Sequence, residues 1–307
     1  MENSIIFGPI PSRGFGLSLG IDLSPSKKQC NFDCLYCELQ SSKTVDSQTD
    51  ILDVSFIIQE LEKALEKHKN IDVITFTANG EPTLYPNLDI LVDKVNKIKN
   101  NKKTLILSNG ANIYKKDIQK TLSKIDIVKL SLDCVSYNCF KKLDRFNSSV
   151  ECDKIVQGMI EFNQQFKHQL ILEILFVKDL NDNIKEVDLL YNAIKQIQPS
   201  RVDIGTIDRP PAYNVKSVDY EFLQNVANRF NNIPIVITHK NKIETMKQYF
   251  SKNEILNTLQ RRPLTKDDIE YLFDDKSKQN LSELINSSEV IIKNNNNIDF
   301  YFPFDRR

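Results

Sequence analysis

From about residue 17 to 238, short β-branched runs alternate with longer polar stretches of helical period, and this alternation leaves few folds open to the chain. The strand candidates are Leu17–Leu23, Val73–Thr77, Thr104–Ser108, Val128–Leu132, Leu170–Val177, Val202–Ile207 and Ile233–Thr238. Between them lie amphipathic segments such as Val54–His68, which sets Phe56, Ile57, Leu61 and Leu65 on a helical period. Repetition of strand, helix and strand implies parallel strands joined by right-handed crossovers. Six or seven such units predict an α/β chain curled into a partial or complete barrel. In barrels the loops that follow the strands carry the chemistry.

The pattern changes after about residue 245. Asn253–Gln260 reads as a short helix, Thr265 to Asp268 as a capping signature that opens a helix over Lys266–Phe273, and Lys278–Asn286 as a third helix. Val290–Lys293, Asn294–Asn297 and Ile298–Phe302 read as strand, polar turn and strand. Three short helices and a hairpin predict a small winged-helix-like domain over 245–307, behind a barrel domain over 1–244. A chain of 307 residues has room for both.

Charge narrows the partners. The 41 basic and 41 acidic residues cancel, so the chain as a whole has no pull toward nucleic acid or anionic membrane, though a local patch stays possible. No run of about 18 apolar residues exists to span a bilayer. Ile5–Phe7 is too short for the apolar region of an export signal. A cytoplasmic location is therefore expected, where six cysteines serve metals or catalysis more readily than disulfides.

Three of those cysteines fall within eight residues, Cys30-Asn-Phe-Asp-Cys34-Leu-Tyr-Cys37, just after the first parallel strand candidate. Thiolates suit iron–sulfur clusters and zinc. A structural zinc takes four protein ligands, but here the set stops at three, and the nearest histidine in sequence is His68. A cubane held by three thiolates leaves one iron open to a cofactor or substrate.

Cys-x3-Cys-x2-Cys with an aromatic, Tyr36, before the last cysteine resembles the radical S-adenosylmethionine superfamily. The longer string Phe7-Gly-Pro-Ile-Pro-Ser-Arg13, Ser18-Leu-Gly-Ile-Asp22 and Cys30 to Cys37 resembles one branch of it, Fe–S oxidoreductases related to the tRNA wybutosine-synthesis enzymes. The superfamily resemblance spans roughly residues 1–240. It implies a partial (β/α)6-type barrel, a [4Fe–4S] cluster on Cys30, Cys34 and Cys37, and S-adenosylmethionine on the open iron. It also implies reductive cleavage of that cofactor to a 5′-deoxyadenosyl radical, and an electron donor such as flavodoxin or ferredoxin.

The same resemblance marks further loops. Asn79-Gly80-Glu81-Pro82 sits where the superfamily binds the methionine amino group, with Asn79 in place of its first glycine. An ammonium wants carbonyls and a carboxylate, and glycine lets backbone come close. Read from the residues alone, Gly-Glu-Pro is a strand-to-helix corner. Ser108-Asn109-Gly110 and Ser131-Leu132-Asp133 follow the next two strands. The resemblance makes Asn109, Ser131 and Asp133 contacts to the methionine carboxylate or ribose, against plain Asx turns. Tyr36 joins this cofactor set. Asp208-Arg209 before Pro210-Pro211, together with Arg13, are candidate substrate contacts, the guanidinium fork suiting an anion. Glu173 interrupts an apolar strand, and its position alone does not say which way it faces. Cys134, Cys139 and Cys152 match no cluster spacing and read as core or incidental residues.

The substrate follows less directly. RNA is suggested by the tRNA-modifying relatives and the tail, although Arg261, Arg262 and Lys266 make a thin basic patch. A peptide or protein docked by the tail is the second reading. A third is a non-catalytic Fe–S redox sensor with a DNA-binding winged helix. In the first two, the tail recruits substrate and takes no part in cofactor cleavage.

Overall fold

The computed structural model describes residues 5–12, 14–230, 232–238, 247–295 and 298–304. β1 (Ile6–Ser12) and β2 (Gly16–Asp22) form an antiparallel hairpin. From β2 onward the strands run parallel, each beside its predecessor: β3 (Val73–Thr77), β4 (Lys103–Ser108), β5 (Ile127–Ser131), β6 (Gln169–Phe176), β7 (Arg201–Thr206) and β8 (Ile235–Ile237). The crossovers are α1 (Val54–Lys67), α2 (Leu88–Ile98), α3 (Lys116–Leu122), the short α4 (Tyr137–Cys139) with α5 (Ile155–Gln165), α6 (Ile184–Ile197) and α7 (Tyr220–Arg229). The sheet starts at β1 and stops at β8, so the barrel is open between these two edges.

Each strand interior alternates between two faces, as the two-residue period of a strand requires. Ile74, Phe76, Ile106, Val128, Leu130, Leu172, Ile174, Val202 and Ile204 are buried in the main core with the helices. The intervening side chains point into the barrel. At its lower end Val73, Leu105, Ile127 and Ile171 form a separate plug with Phe15 beneath it. One step higher the inward positions turn polar, with Lys129, Glu173 and Asp203 on adjacent strands. α1 begins at Asp53, whose carboxylate accepts from the Ser55 and Phe56 amides. It buries Ile57 and Leu61, but Phe56, which periodicity put on the same face, is 44% exposed.

β1 is absent from the sequence-based strands because Gly8, Pro9 and Pro11 interrupt its pattern. Prolines are tolerated on an edge strand, and the register with β2 shifts between Phe7 and Ile10.

After residue 246 come α8 (Lys252–Arg261), β9 (Leu264–Thr265), α9 (Lys266–Leu272), α10 (Asp275–Asn286), β10 (Val290–Asn295) and β11 (Ile298–Pro303). Ser251 with Glu254 and Thr265 with Asp268 make capping boxes on α8 and α9. α10 starts three residues before Lys278, because Asp274 accepts from the Ser277 amide and caps it. The three strands pair in the order β10-β11-β9 over a core that includes Phe250, Leu259, Leu264, Leu272, Phe273 and Leu281. Of the expected turn Asn294–Asn297, Asn294 and Asn295 belong to β10, and residues 296 and 297 lie outside the described residues, as does the proposed boundary at 244.

Cys134, Cys139 and Cys152 are buried in the main core, as expected. Cys134 and Cys139 also form a disulfide, with Cα atoms 5.5 Å apart, against the expectation that cysteines here serve metals or catalysis rather than disulfides. Ser136 caps α4 and turns the chain so that Cys139 returns onto Cys134. The Glu186 carboxylate holds this turn by accepting from the Val135 and Ser136 amides and the Ser136 hydroxyl. No helix among the described residues is long and apolar enough to cross a membrane.

Candidate active site

The loop after β2 carries Cys30, Cys34 and Cys37. It is laced to the loop after β3 at one point, where Gln29 donates to the Asn79 carbonyl (2.9 Å) and accepts from the Glu81 amide (2.9 Å). Gly80 sits between these bonds at φ +134°, and a Cβ there would lie 2.0 Å from the Gln29 carbonyl oxygen. Only glycine permits that approach. The strand-to-helix corner and the cysteine loop are thereby one unit.

Glu81 is fully buried within this unit. Its Oε1 accepts from the Thr83 amide (3.0 Å), the Thr83 hydroxyl (2.7 Å) and the Ser108 hydroxyl (2.7 Å), and its Oε2 from the Asn109 amide (2.8 Å). Burial nevertheless pushes its pKa up, against the pull of those hydrogen bonds. Asn109 reaches back from the end of β4, donating to Asn31 (2.7 Å) and lying 3.6 Å from the Cys30 sulfur.

Burial, followed by the nearby charge of Glu81, pushes the Cys30 thiol up to about 12. Burial also raises Cys34, with Asp144 the next cause. Lys28 points its ammonium at the Cys37 sulfur (3.4 Å) and at Asp33 (3.8 Å). Asp33 in turn accepts from the Tyr213 hydroxyl (2.6 Å) and pairs with Arg145 (3.2 Å). The Ala212 amide donates to the Cys37 carbonyl (2.8 Å) and Arg209 pairs with Glu38 (2.9 Å), so the loop after β7 closes over the cysteine loop.

A cavity of about 330 Å³ opens at the upper end of the strands. Tyr36, Cys37, Gly80, Glu81, Asn109, Ser131, Asp208 and Arg209 line it, which brings most of the sequence-predicted residues together. Asp133 is not among the lining residues. It is buried behind Tyr36, whose hydroxyl donates to it, and accepts from the Leu175 amide (2.6 Å). Arg13 lies outside the described residues. Four charged lining residues, Glu38, Lys129, Glu173 and Arg261, lie outside the sequence-predicted site set, though Glu173 stood out by its place in an apolar strand. Lys129 and Glu173 face inward and pair with each other (2.6 Å), while Arg261 enters from α8. The alternation of β5 and β6 held the signal for Lys129 and Glu173, because it sets Lys129 and Ser131, and Glu173 and Leu175, on one face. Nothing in the local pattern pointed to Arg261.

The thiols fit a cluster better than a single ion. Around one zinc at about 2.3 Å the sulfurs would sit under about 4 Å apart. Among the described residues, the one set of three candidate ligand atoms within 4.8 Å of one another is Cys134, Cys139 and Glu186, not Cys30, Cys34 and Cys37. That compact set has its sulfurs in a disulfide and its carboxylate taken by three donors, so it offers no ligands.

Comparison with known proteins agrees. A family model described as the radical SAM superfamily matches residues 25–190. A UPF0026 protein of Helicobacter pylori strain 26695 is 37% identical over 303 residues, covering 98% of each chain. Among solved structures, TYW1 with a lysine–pyruvate adduct bound shares the fold at a TM-score of 0.54, 14% identity, and coverage of 71% of this chain and 74% of that one. Streptococcus suis SuiB bound to its precursor peptide SuiA does so at 0.57, 16% identity, and 73% and 49% coverage. The non-catalytic alternative finds no support in these likenesses. The chain belongs to the radical SAM superfamily, whose enzymes use a [4Fe–4S] cluster and S-adenosylmethionine, and within it to the UPF0026 proteins.

Proposed function

We propose that Cys30, Cys34 and Cys37 hold the cluster, that the wall formed by Tyr36, Gly80, Glu81, Asn109 and Ser131 holds S-adenosylmethionine, and that the remaining cavity takes the substrate. The observation that carries this reading is the convergence of the cysteine loop and three successive strand ends on one cavity. Bound there, the cluster and its cofactor supply one-electron chemistry that ends in hydrogen abstraction.

The protein's part is positioning. Buried thiols with raised pKa values are protonated without metal, so cluster assembly must displace their protons. Lys28 offsets part of the negative charge that three thiolates bring. With Glu81 engaged by four donors, its carboxylate and the carbonyls of the Gly80 loop would together hold the methionine amino group. Asp133 fixes the ring of Tyr36 from behind rather than touching the cofactor. The loop after β7, pinned to the cysteine loop through Ala212, Tyr213 and Arg209, keeps water from the reacting centre.

The substrate is an RNA or a peptide or protein, presented by a winged-helix-like module over about 245–307. Lys129, Glu173, Asp208 and Arg209 give its reacting part charged partners of both signs. A flavodoxin- or ferredoxin-type donor supplies electrons in the cytoplasm.

The test is anaerobic reconstitution followed by dithionite reduction with S-adenosylmethionine. Formation of 5′-deoxyadenosine is expected, faster when the correct one of total RNA or a peptide pool is added. A reduced, iron-loaded protein that forms none would remove the reading.

A further inference from the structure

We propose that Arg261, carried by the C-terminal segment, is a positioning residue of the S-adenosylmethionine site. This rests on the placement of that site above, and it departs from the sequence-based expectation that the tail plays no part in cofactor cleavage.

A buried carboxylate at the end of β2 carries the argument. Asp22 is 2% exposed. Its Oδ1 accepts from the Ser24 amide (3.0 Å) and the Asn79 amide (2.9 Å). Asn79 opens the Gly80–Glu81 corner, and its carbonyl accepts from Gln29, next to Cys30. Asp22 thus fixes the first residue of the cofactor corner by its backbone. Its other oxygen, Oδ2, accepts from Arg261 Nε at 2.9 Å. Among the described residues, Arg261 is the one basic group within ion-pair distance of Asp22. The guanidinium also lies over the Phe7 ring (5.6 Å) and lines the cavity beside Thr77 and Ala78.

Removing one partner of a buried pair leaves the other charge uncompensated. Without Arg261, Asp22 regains balance only by taking a proton or drawing in water, and either change loosens its hold on Asn79. The effect falls first on the methionine-binding corner, whose Asn79 amide Asp22 holds directly, and reaches the thiols only through the Gln29 backbone.

Helix α8 has other anchors. Glu254 pairs with Lys67 and approaches His68 (3.7 Å), and Arg262 donates to the Pro11 carbonyl (2.9 Å). Losing Arg261 therefore leaves the helix docked. That separation makes the proposal testable against simple docking.

The experiment measures S-adenosylmethionine affinity by calorimetry on anaerobically reconstituted full-length protein, with iron content measured on the same sample. Arg261→Gln should bind about tenfold more weakly at full iron content, as partners that orient a ligand-binding group usually do. Arg261→Lys keeps the charge but not the planar guanidinium over Phe7, so its affinity should fall between wild type and Arg261→Gln. Asp22→Asn with Arg261→Gln should recover most of the loss, because the amide oxygen still accepts from Asn79 and no buried charge is left unpaired. Glu254→Gln, which weakens docking of the same helix, should leave affinity unchanged.

Wild-type affinity in Arg261→Gln overturns the proposal. So does a double variant as weak as the single one, or an equal loss in Glu254→Gln, since either makes the effect one of packing. Should Arg261→Gln fail to load iron, the double variant decides: loading and binding support the charge argument, and failure rejects it. Glu81→Ala is measured alongside. Unchanged affinity there means that the cofactor site itself is misplaced, whereas a loss there without one in Arg261→Gln defeats this inference alone.

Discussion

On the proposed cofactor wall of the cavity, Glu81 is fully buried and both its oxygens are held by donors from its own corner, Thr83, and from the end of β4, Ser108 and Asn109. On the opposite wall, the Glu173 side chain is 40% exposed beside Lys129, and Glu38 is 37% exposed beside Arg209. The first wall is a saturated hydrogen-bond network and has one arrangement. The second consists of ion pairs in which the Glu173 and Glu38 carboxylates are partly open to solvent, while Lys129 is buried and also pairs with Asp203 (3.1 Å). A wall of the first kind suits a cofactor whose structure is the same for every substrate. A wall of the second kind suits a substrate that must enter, be oriented and leave.

The comparison breaks most completely at the cysteines. Replacing Cys30, Cys34 and Cys37 by Ala should abolish the expected content of about four iron and four sulfide per chain, together with the visible absorption. Zinc as the main metal in anaerobically purified wild type, or an unchanged spectrum in the triple variant, would show that the wall was built for something else.

Next in size is the corner itself. Glu81→Ala should weaken S-adenosylmethionine binding by about 1.5–3 kcal/mol while iron content stays constant. Gly80→Ala should do at least as much, because its Cβ would meet the Gln29 carbonyl at 2.0 Å. Calorimetry on both variants checks this, and wild-type affinity in either would mean that the corner is not the cofactor wall.

A pH series on metal-free protein sharpens the picture of the same wall. Asp144 is buried beneath Cys34. Burial and then the charge of Asp133 raise its pKa well above the usual carboxylate value. Its proton is held in the folded state and released on unfolding, so its contribution is complete below about pH 4 and is lost as pH rises through the raised value. Asp144→Asn should flatten the decline in unfolding free energy as pH rises above about 4. An equal slope in wild type and variant would assign the decline elsewhere.

The smallest effect is expected across the cavity. Glu173→Gln and Arg209→Ala should each leave S-adenosylmethionine affinity and iron content within about twofold of wild type, since neither belongs to the saturated network. A tenfold loss in either would erase the distinction between the walls.

Strand positions were legible because outward-facing aliphatic residues announce buried parallel strands, and β3 begins and ends where its β-branched run does. The helices of the tail were legible through their caps, Thr265 with Asp268 above all. β1 was hidden by its prolines, and the Cys134–Cys139 bond by a turn that only α4 creates. By itself the sequence determined the parallel strands, the three-thiol spacing and the glycine before Glu81, because each is a local pattern set by neighbouring residues. Only the tertiary structure decided that Glu173 faces inward, that Asp133 stands behind Tyr36, and that Arg261 reaches Asp22 across 239 residues of chain. Those facts depend on which faces meet when the sheet curls, and the two-residue period says which residues share a face but not which face turns inward.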